Sequence, residues 1–270
     1  PPTASTTSIP RGRPADERTD RLRRDRDGLE RELHEAAQVQ RRFGAFRHLR
    51  RGAFDIAGEI FPVRHVSGDL LTVFDAGRHT LLGLGDIAGK GLGPGMWFTH
   101  LAGLIRLFAG LTQDPAKVMA MINRHLIGLE PEPPITTLFL ARADTRTGEL
   151  TYSNAGHPAP LVLRVDGSAE WLDAGGPVLG ALDGAEFVSA RITLDSGDIL
   201  FGYSDGILEC RNPQGEEFGM ERLMDAARAA LSPSAGGMLF SLLGATQDFA
   251  AGEPRADDFA LMVVRRFAPA

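Results

Sequence analysis

From residue 54 onward, short apolar segments alternate with polar turn segments. The apolar segments are rich in β-branched and aromatic residues, which is typical of strands: FDIAGEIF, DLLTVFD, HTLLGLGDI, TTLFLARAD, ELTYSNA, PLVLRV, EFVSARITL, DILFGYS and FALMVVRRF. Turns as short as DAGRH, DTRTGE and VDGSA join antiparallel strands. Helical stretches at 95–110 and 115–129 precede the fourth strand, and those at 220–230 and 236–250 precede the last. This order predicts an α+β fold with helix layers covering the sheet faces.

The first 50 residues follow a different pattern. Residues 1–15 are rich in Pro, Ser and Thr without periodicity, and we expect a disordered linker. Residues 16–50 contain no Pro and are predicted to be a helix, with apolar residues at steps compatible with a heptad: Leu22, Leu29, Leu33, Ala36 and Phe43. Two interpretations are open. The helix forms a short coiled coil and a weak homodimer, with Arg26 and Gln40 weakening the seam, or it packs on its own domain, residues 51–270.

Composition removes several classes of protein. The 270 residues are 43% hydrophobic and 24% charged, as in globular proteins. The single cysteine, Cys210, excludes a disulfide framework and a Cys-rich zinc site, and predicts a cytoplasmic location. We expect no membrane insertion, because the apolar stretch 94–111 carries His100 and Arg106 and is shorter than about 20 apolar residues. The Arg-rich helix is interleaved with acidic residues, so nucleic acid is not an expected partner.

Aspartates at the ends of apolar strands are the conspicuous chemical feature. Each lies beside small residues, in Gly68-Asp69, Gly85-Asp86, Ser204-Asp205-Gly206 and Ala256-Asp257-Asp258. A carboxylate at such a position is costly to desolvate unless it is paired or binds a cation. Clustered carboxylates are the ligands of hard ions such as Mg²⁺ and Mn²⁺. On spacing alone, a metal cluster and four unrelated turn aspartates both remain open.

Residues 83–91, GLGDIAGKG, do not fit two glycine-rich phosphate-binding motifs. In a dinucleotide-binding turn, Asp86 would lie where the pyrophosphate belongs, and no parallel βαβ unit follows. In a P-loop, Leu84 would replace the first Gly and Gly91 the Ser or Thr that binds Mg²⁺. We therefore do not expect this segment to bind a nucleotide.

Five ordered motifs carry a resemblance to a known family: FPVRHVSGDLL, GDIAGKG, NAGHPAPL, GYSDGILECRNPQGEEFG and ADDFALMVV. In order and spacing, the chain from 54 to 267 resembles the bacterial PPM-type serine phosphatases of the SpoIIE/RsbU class, and ELHEAAQVQ resembles their linker helix. The resemblance implies an α-β-β-α sandwich of two antiparallel sheets flanked by helix layers, with a site for two metal ions at one edge. Because the chain begins with Pro1 rather than Met, we also expect an upstream sensor domain.

The resemblance also implies a ligand set, matched position by position. The matched residues are Asp69, Asp86 as the bridge between both metals, the carbonyl of Ile87, Asp205 and Asp257, with Asp258 as a weaker match. The implied cofactors are two Mn²⁺ or Mg²⁺ ions. The chain departs from the family pattern at Thr72, where a second Asp is usual, and eukaryotic relatives have a candidate acid, a His, at the position of Ala88.

The implied activity is hydrolysis of a phosphoserine or phosphothreonine by a water that two metals activate. Asp69, Asp86, Asp205 and Asp257 are the expected catalytic residues, and the implied substrate is a phosphorylated, STAS-like anti-sigma-factor antagonist. A non-catalytic interaction module is the alternative. His157 is either a turn-stabilising residue or a general acid, and Lys90 either attracts phosphate or is a surface lysine.

Overall fold

The computed structural model describes residues 14–44, 46–130, 133–230 and 232–267. Its helices are α1 Pro14–Gly44, α2 Leu92–Ala109, α3 Pro115–Ile127, α4 Asp205–Leu208, α5 Gly219–Ala229 and α6 Ala235–Ala250. Its strands are β1 Phe46–Arg51, β2 Phe54–Phe61, β3 Leu70–Ala76, β4 His79–Ile87, β5 Thr136–Asp144, β6 Glu149–Ala155, β7 Leu161–Leu163, β8 Ala169–Trp171, β9 Gly175–Gly176, β10 Ala190–Thr193, β11 Ile199–Tyr203 and β12 Phe259–Arg266. Within these ranges, no helix has the length and apolar character needed to cross a membrane.

The strands form two sheets, as predicted. The first has the order β1-β2-β12-β11-β7-β8, and the second has the order β10-β6-β5-β4-β3 with β9 beside β6. Neighbouring strands pair antiparallel, except that β9 runs parallel to β6. All nine predicted strands are present, whereas β1, β8, β9 and α4 were not predicted. The α+β sandwich expected from the sequence is therefore confirmed.

Three apolar cores hold the layers together. One lies between the two sheets and contains Phe54, Leu84 and Met262. A second joins the β3–β6 sheet to α2 and α3 through residues such as Phe98 and Ile122. The third lies between the other sheet and helices α5 and α6, and its largest side chains are Phe201, Tyr203, Phe218 and Phe259. Each sheet thus buries both faces, because one face meets the other sheet and one meets helices.

The end of the N-terminal helix was predicted wrongly. We expected it to reach Arg50, but α1 ends at Gly44 and residues 46–51 form β1, which pairs antiparallel with β2. Gly52, with φ of +55°, makes the turn between the two strands, a conformation that glycine adopts easily. Most of the predicted linker, residues 1–13, lies outside the described residues, while residues 14 and 15 belong to α1.

The two interpretations of α1 apply to different parts of the helix. Near its C-terminal end, Ala37 and Gln40 are buried, and the helix contacts α2 and β3. Further toward the N-terminus, Leu22 and Leu29 are exposed. Gln40 therefore serves the chain's own domain rather than a dimer seam. A weak homodimer through the exposed apolar part stays a prediction.

Candidate metal centre and active site

Antiparallel pairing brings the predicted aspartates to one edge of the sandwich. In one sheet, Asp69 directly precedes β3 and Asp86 lies at the end of β4, and these two strands pair antiparallel. In the other sheet, Asp205 follows β11 and residues 257–258 precede β12, and these strands also pair antiparallel. The start of one strand therefore lies beside the end of its neighbour, in both sheets.

Asp69 is the most buried of these aspartates, at 1% exposure. The Ser204 hydroxyl donates a hydrogen bond to its Oδ2 at 2.8 Å. The other oxygen, Oδ1, is buried and has no hydrogen-bond partner among the described residues. Burial, followed by the charge of Asp86, raises the pKa of Asp69 well above its usual value. A buried carboxylate oxygen without a donor fits a site that receives a cation.

Asp86 lies in the same electrostatic field. Burial raises its pKa to about 6, with further contributions from Asp205, Asp257 and Asp258. Its backbone N–H donates to the hydroxyl of Thr137 on β5 at 3.2 Å, which holds the end of β4 in place. The carboxylates that the sequence singled out therefore repel one another across a shared space.

Gly68 keeps that space open. A Cβ at this position would lie 2.8 Å from the carbonyl oxygen of Ile87 and 3.3 Å from a carboxylate oxygen of Asp86. The Cβ of any other residue here would crowd the Ile87 carbonyl oxygen and the Asp86 carboxylate oxygen. The Ile87 carbonyl, the Asp86 carboxylate and the loop that carries Asp69 thus lie side by side.

Asp258 differs from the other aspartates, because its carboxylate accepts three hydrogen bonds from the protein. The N–H of Val63 donates to Oδ1 at 2.6 Å, and the Ser67 hydroxyl and the Gly68 N–H each donate to Oδ2 at 3.0 Å. Three donors leave little lone-pair capacity for a metal ion. The geometry therefore gives Asp258 the task of holding loop 62–68, which ends at Asp69.

Gln40 holds the same loop from the other side. Its side-chain amide donates to the Ser67 carbonyl at 2.6 Å and accepts from the Ser67 N–H at 3.0 Å. This pairing is buried, and Gln40 is 8% exposed. Sequence reasoning placed Gln40 on a possible dimer seam and missed this contact, since the only signal was a polar residue on the apolar face of the helix.

The rim of the site carries positive charge. The Lys90 ammonium lies 2.8 Å from Asp257 Oδ2 and donates to the Ala256 carbonyl at 2.7 Å. The hydrogen bond to Asp257 raises the pKa of Lys90. A guanidinium nitrogen of Arg64 lies 3.3 Å from where a Cβ on Gly91 would be, so a second cation borders the same loop. Arg64 was not among the sequence-predicted site residues.

His157 is a buried structural residue in this arrangement. It is 4% exposed, and its Nδ1 lies 2.9 Å from the hydroxyl of Thr137. The side chain of Asn154 closes the turn by bonding to the backbone N–H and carbonyl of His157. Burial lowers the pKa of His157 to about 3, and the nearby Tyr203 backbone offsets only part of this effect. A neutral, enclosed imidazole stabilises the turn and is poorly placed to protonate a substrate.

The donor set fits hard divalent cations. Oxygen atoms from Asp69, Asp86, Asp205 and Asp257, together with the Ile87 carbonyl, are the ligands that Mg²⁺ and Mn²⁺ prefer. In the part of the chain that the structure describes, no three His, Cys, Asp or Glu side chains already converge as a complete metal-binding group. The raised pKa values of Asp69 and Asp86 and the unpaired Oδ1 of Asp69 indicate instead that a bound cation would bring these carboxylates closer together.

Comparison with known proteins decides the family. The family model for Stage II sporulation protein E (SpoIIE) matches residues 76–267, well over half of the chain. The chain belongs to the SpoIIE family. Its sandwich is that of the PPM, or PP2C-type, protein phosphatases, as the sequence resemblance implied.

Relatives and solved structures agree with this assignment. The chain is 28% identical to Protein IcfG of Synechocystis over 236 residues, which are 77% of this chain and 37% of that protein. It is 25% identical to phosphoserine phosphatase RsbU of Bacillus subtilis over 248 residues, 91% of this chain and 73% of RsbU. The SiaA-PP2C domain of Pseudomonas aeruginosa superposes with a TM-score of 0.77 at 18% identity, covering 90% of this chain and 99% of that domain. The chain thus spans little more than a third of IcfG.

Proposed function

We propose that this SpoIIE-family domain is a metal-dependent phosphatase that hydrolyses phosphoserine or phosphothreonine on a partner protein. The observation that carries the proposal is the edge at which buried Asp69 and partly buried Asp86 each face the charges of acidic neighbours. Such an arrangement stabilises nothing by itself, so a requirement for bound cations explains why the fold maintains it.

Asp69, Asp86, Asp205, Asp257 and the Ile87 carbonyl would hold two Mn²⁺ or Mg²⁺ ions. When bound, these ions supply Lewis acidity, which lowers the pKa of an attacking water and offsets charge on the phosphoryl oxygens. Asp258 acts differently, as a positioning residue that holds the loop leading to Asp69.

Arg64 and Lys90 would attract and orient the phosphoryl group. Both side chains are exposed, Lys90 beside Asp257 and Arg64 beside Gly91 in the same loop, and both side-chain types bind phosphate. Asp205 is exposed as well, so the site is open to a phosphorylated side chain on the surface of another protein. This openness supports a protein substrate.

For the partner, we propose a small phosphorylated, STAS-like anti-sigma-factor antagonist, with an upstream sensor domain that controls turnover. The support is the relationship to RsbU, whose name describes a phosphoserine phosphatase.

The test is phosphate release from a phosphoserine protein, with Mn²⁺ or Mg²⁺ and with EDTA. We expect turnover that depends on the metal, that Asp205→Asn abolishes, and that Lys90→Gln reduces mainly through a higher KM. Gln38→Leu, a change at an exposed position of α1, is the control and should keep parental turnover. Binding of the phosphoprotein without any phosphate release would favour a non-catalytic interaction module.

A further inference from the structure

Two histidines face each other on the helix layer that covers the β3–β6 sheet. His100 lies in α2 and His125 in the last turn of α3. Their Nε2 atoms are 3.2 Å apart, and their ring centroids are 5.3 Å apart. His100 is exposed and His125 is partly exposed, so ions in solution reach both nitrogens.

The separation of the two nitrogens suits a shared metal ion. Two imidazole nitrogens bound to one tetrahedral Zn²⁺, at about 2.0–2.1 Å each, lie about 3.3 Å apart. A hydrogen bond between neutral imidazoles has a similar length. An ion would therefore take the place of the shared proton, which moves to Nδ1 of the donor ring, with little movement of either helix. Burial, followed by the charge of His125, lowers the pKa of His100, which keeps its lone pair available at neutral pH.

We infer that His100 and His125 form a two-histidine site for a borderline divalent transition-metal ion, of the Zn²⁺, Ni²⁺ or Cu²⁺ class, which bridges α2 and α3. Across residues 14–44, 46–130, 133–230 and 232–267, no third His, Cys, Asp or Glu completes a metal-binding group with them. Water therefore fills the remaining coordination positions. Imidazole nitrogen favours these ions, whereas the carboxylate edge favours hard ions, so the two sites differ in selectivity.

The two-histidine site lies away from the carboxylate edge, and the fluorescence of Trp97 can report on it. His100 is eight residues beyond the start of α2, which corresponds to about 12 Å along the helix axis. The Trp97 ring lies edge-on to His100, with centroids 5.6 Å apart. Paramagnetic Ni²⁺ or Cu²⁺ at His100 would quench the fluorescence of Trp97.

The experiment titrates Ni²⁺ into the Trp171→Phe protein, in which Trp97 is the remaining tryptophan, with excess Mg²⁺ present to occupy the carboxylates. We expect saturable quenching with one ion per chain and a higher Tm, since the ion binds only the folded state. His100→Gln and His125→Gln should each weaken Ni²⁺ binding by roughly tenfold or more, because a chelate loses one of two linked ligands. His34→Gln, at an exposed position of α1, is the matched control and should bind Ni²⁺ like the parent.

Equilibrium dialysis of Ni²⁺ against the unsubstituted protein repeats the comparison without the change at Trp171. Parental Ni²⁺ affinity in His125→Gln would overturn the inference and leave two hydrogen-bonded imidazoles. Binding that Asp86→Asn removes but His125→Gln retains would assign the ion to the carboxylates, and would overturn it equally. Neither result depends on phosphatase activity.

Discussion

The aspartates near the two ends of strand β11 have opposite surroundings. At its start, Asp198 is 2% exposed and accepts hydrogen bonds from the Arg164 guanidinium at 2.7 Å and from two backbone N–H groups, of Asp195 and Val165. Asp55, near the same end of the sandwich, is fully buried, accepts from the Ala235 N–H and is paired with His48. Both carboxylates therefore have hydrogen-bond partners within the fold, and Asp198 also has the Arg164 guanidinium as its counter-charge.

At the other end of β11, carboxylates face carboxylates. Burial is the largest cause that raises the pKa values of both Asp69 and Asp86. The charge of Asp86 raises the pKa of Asp69 further, and the charges of Asp205 and Asp257 raise that of Asp86. The ion pair at this edge, Lys90 with Asp257, lies at the partly exposed rim. The difference teaches that aspartates with hydrogen-bond partners stabilise the fold. Aspartates that face other carboxylates destabilise it in the absence of bound cations.

The same Asp→Asn change near the two ends of β11 should have opposite effects on stability. Asp86→Asn should lower turnover by about a hundredfold or more while raising the Tm in EDTA, because it removes a repelling charge. Asp198→Asn should instead lower the free energy of unfolding by about 2–3 kcal/mol, since Arg164 loses a charged partner. Thermal and urea unfolding in EDTA measure the Tm and the free energy of unfolding, and phosphate release measures turnover. Equal destabilisation by the two changes would refute the contrast between the two ends.

A second substitution sharpens the distinction within the cluster. Asp258→Asn presents an NH₂ group to backbone N–H donors of loop 62–68 and should displace Asp69, reducing turnover by about tenfold and weakening Mn²⁺ binding in calorimetry. Ser67→Ala removes only one of the three hydrogen bonds to Asp258 and should have a smaller effect. A loss in Asp258→Asn as deep as that in Asp86→Asn would mean that Asp258 is itself a metal ligand.

The contact from α1 to the Asp69 loop should have a smaller effect. Gln40→Leu removes two buried hydrogen bonds to Ser67 and should lower the free energy of unfolding by about 1–2 kcal/mol, with weaker Mn²⁺ binding. Gln38→Leu changes an exposed position of the same helix and is the control. If the two variants bind Mn²⁺ equally well, α1 does not position the loop.

The last prediction concerns pH and His157. Its folded-state pKa of about 3 lies below the unfolded value of 6.5, so the unfolded chain takes up the proton first. The stability that neutral His157 contributes is present above pH 6.5 and is lost as the pH falls, by about 1.4 kcal/mol per pH unit. The difference in unfolding free energy between the parent and His157→Gln should therefore narrow from pH 6.5 to 5. Parallel curves would mean that His157 titrates normally in the folded protein.

Local pattern was sufficient for most of the secondary structure. The β-branched and aromatic segments predicted nine strands, of which all but β7 and β10 repeat their pattern over five or more residues. Strands β8 and β9 read AEW and GG, so they lack the apolar run that made the equally short strand β7, LVL, predictable. Strand β1 was assigned to the helix because its sequence, FRHLRR, lacks an alternating apolar pattern.

The sequence also singled out the aspartates by their positions beside small residues at strand ends, and the family resemblance matched them to a ligand set. Only the tertiary structure shows what surrounds each one. Asp258 and Gly68 are 190 residues apart and Gln40 and Ser67 are 27 apart, so no local pattern predicts their hydrogen bonds. Antiparallel pairing and the packing of α1 bring these groups together, and the low polarity of the interior then converts proximity into raised pKa values and tightly held loops.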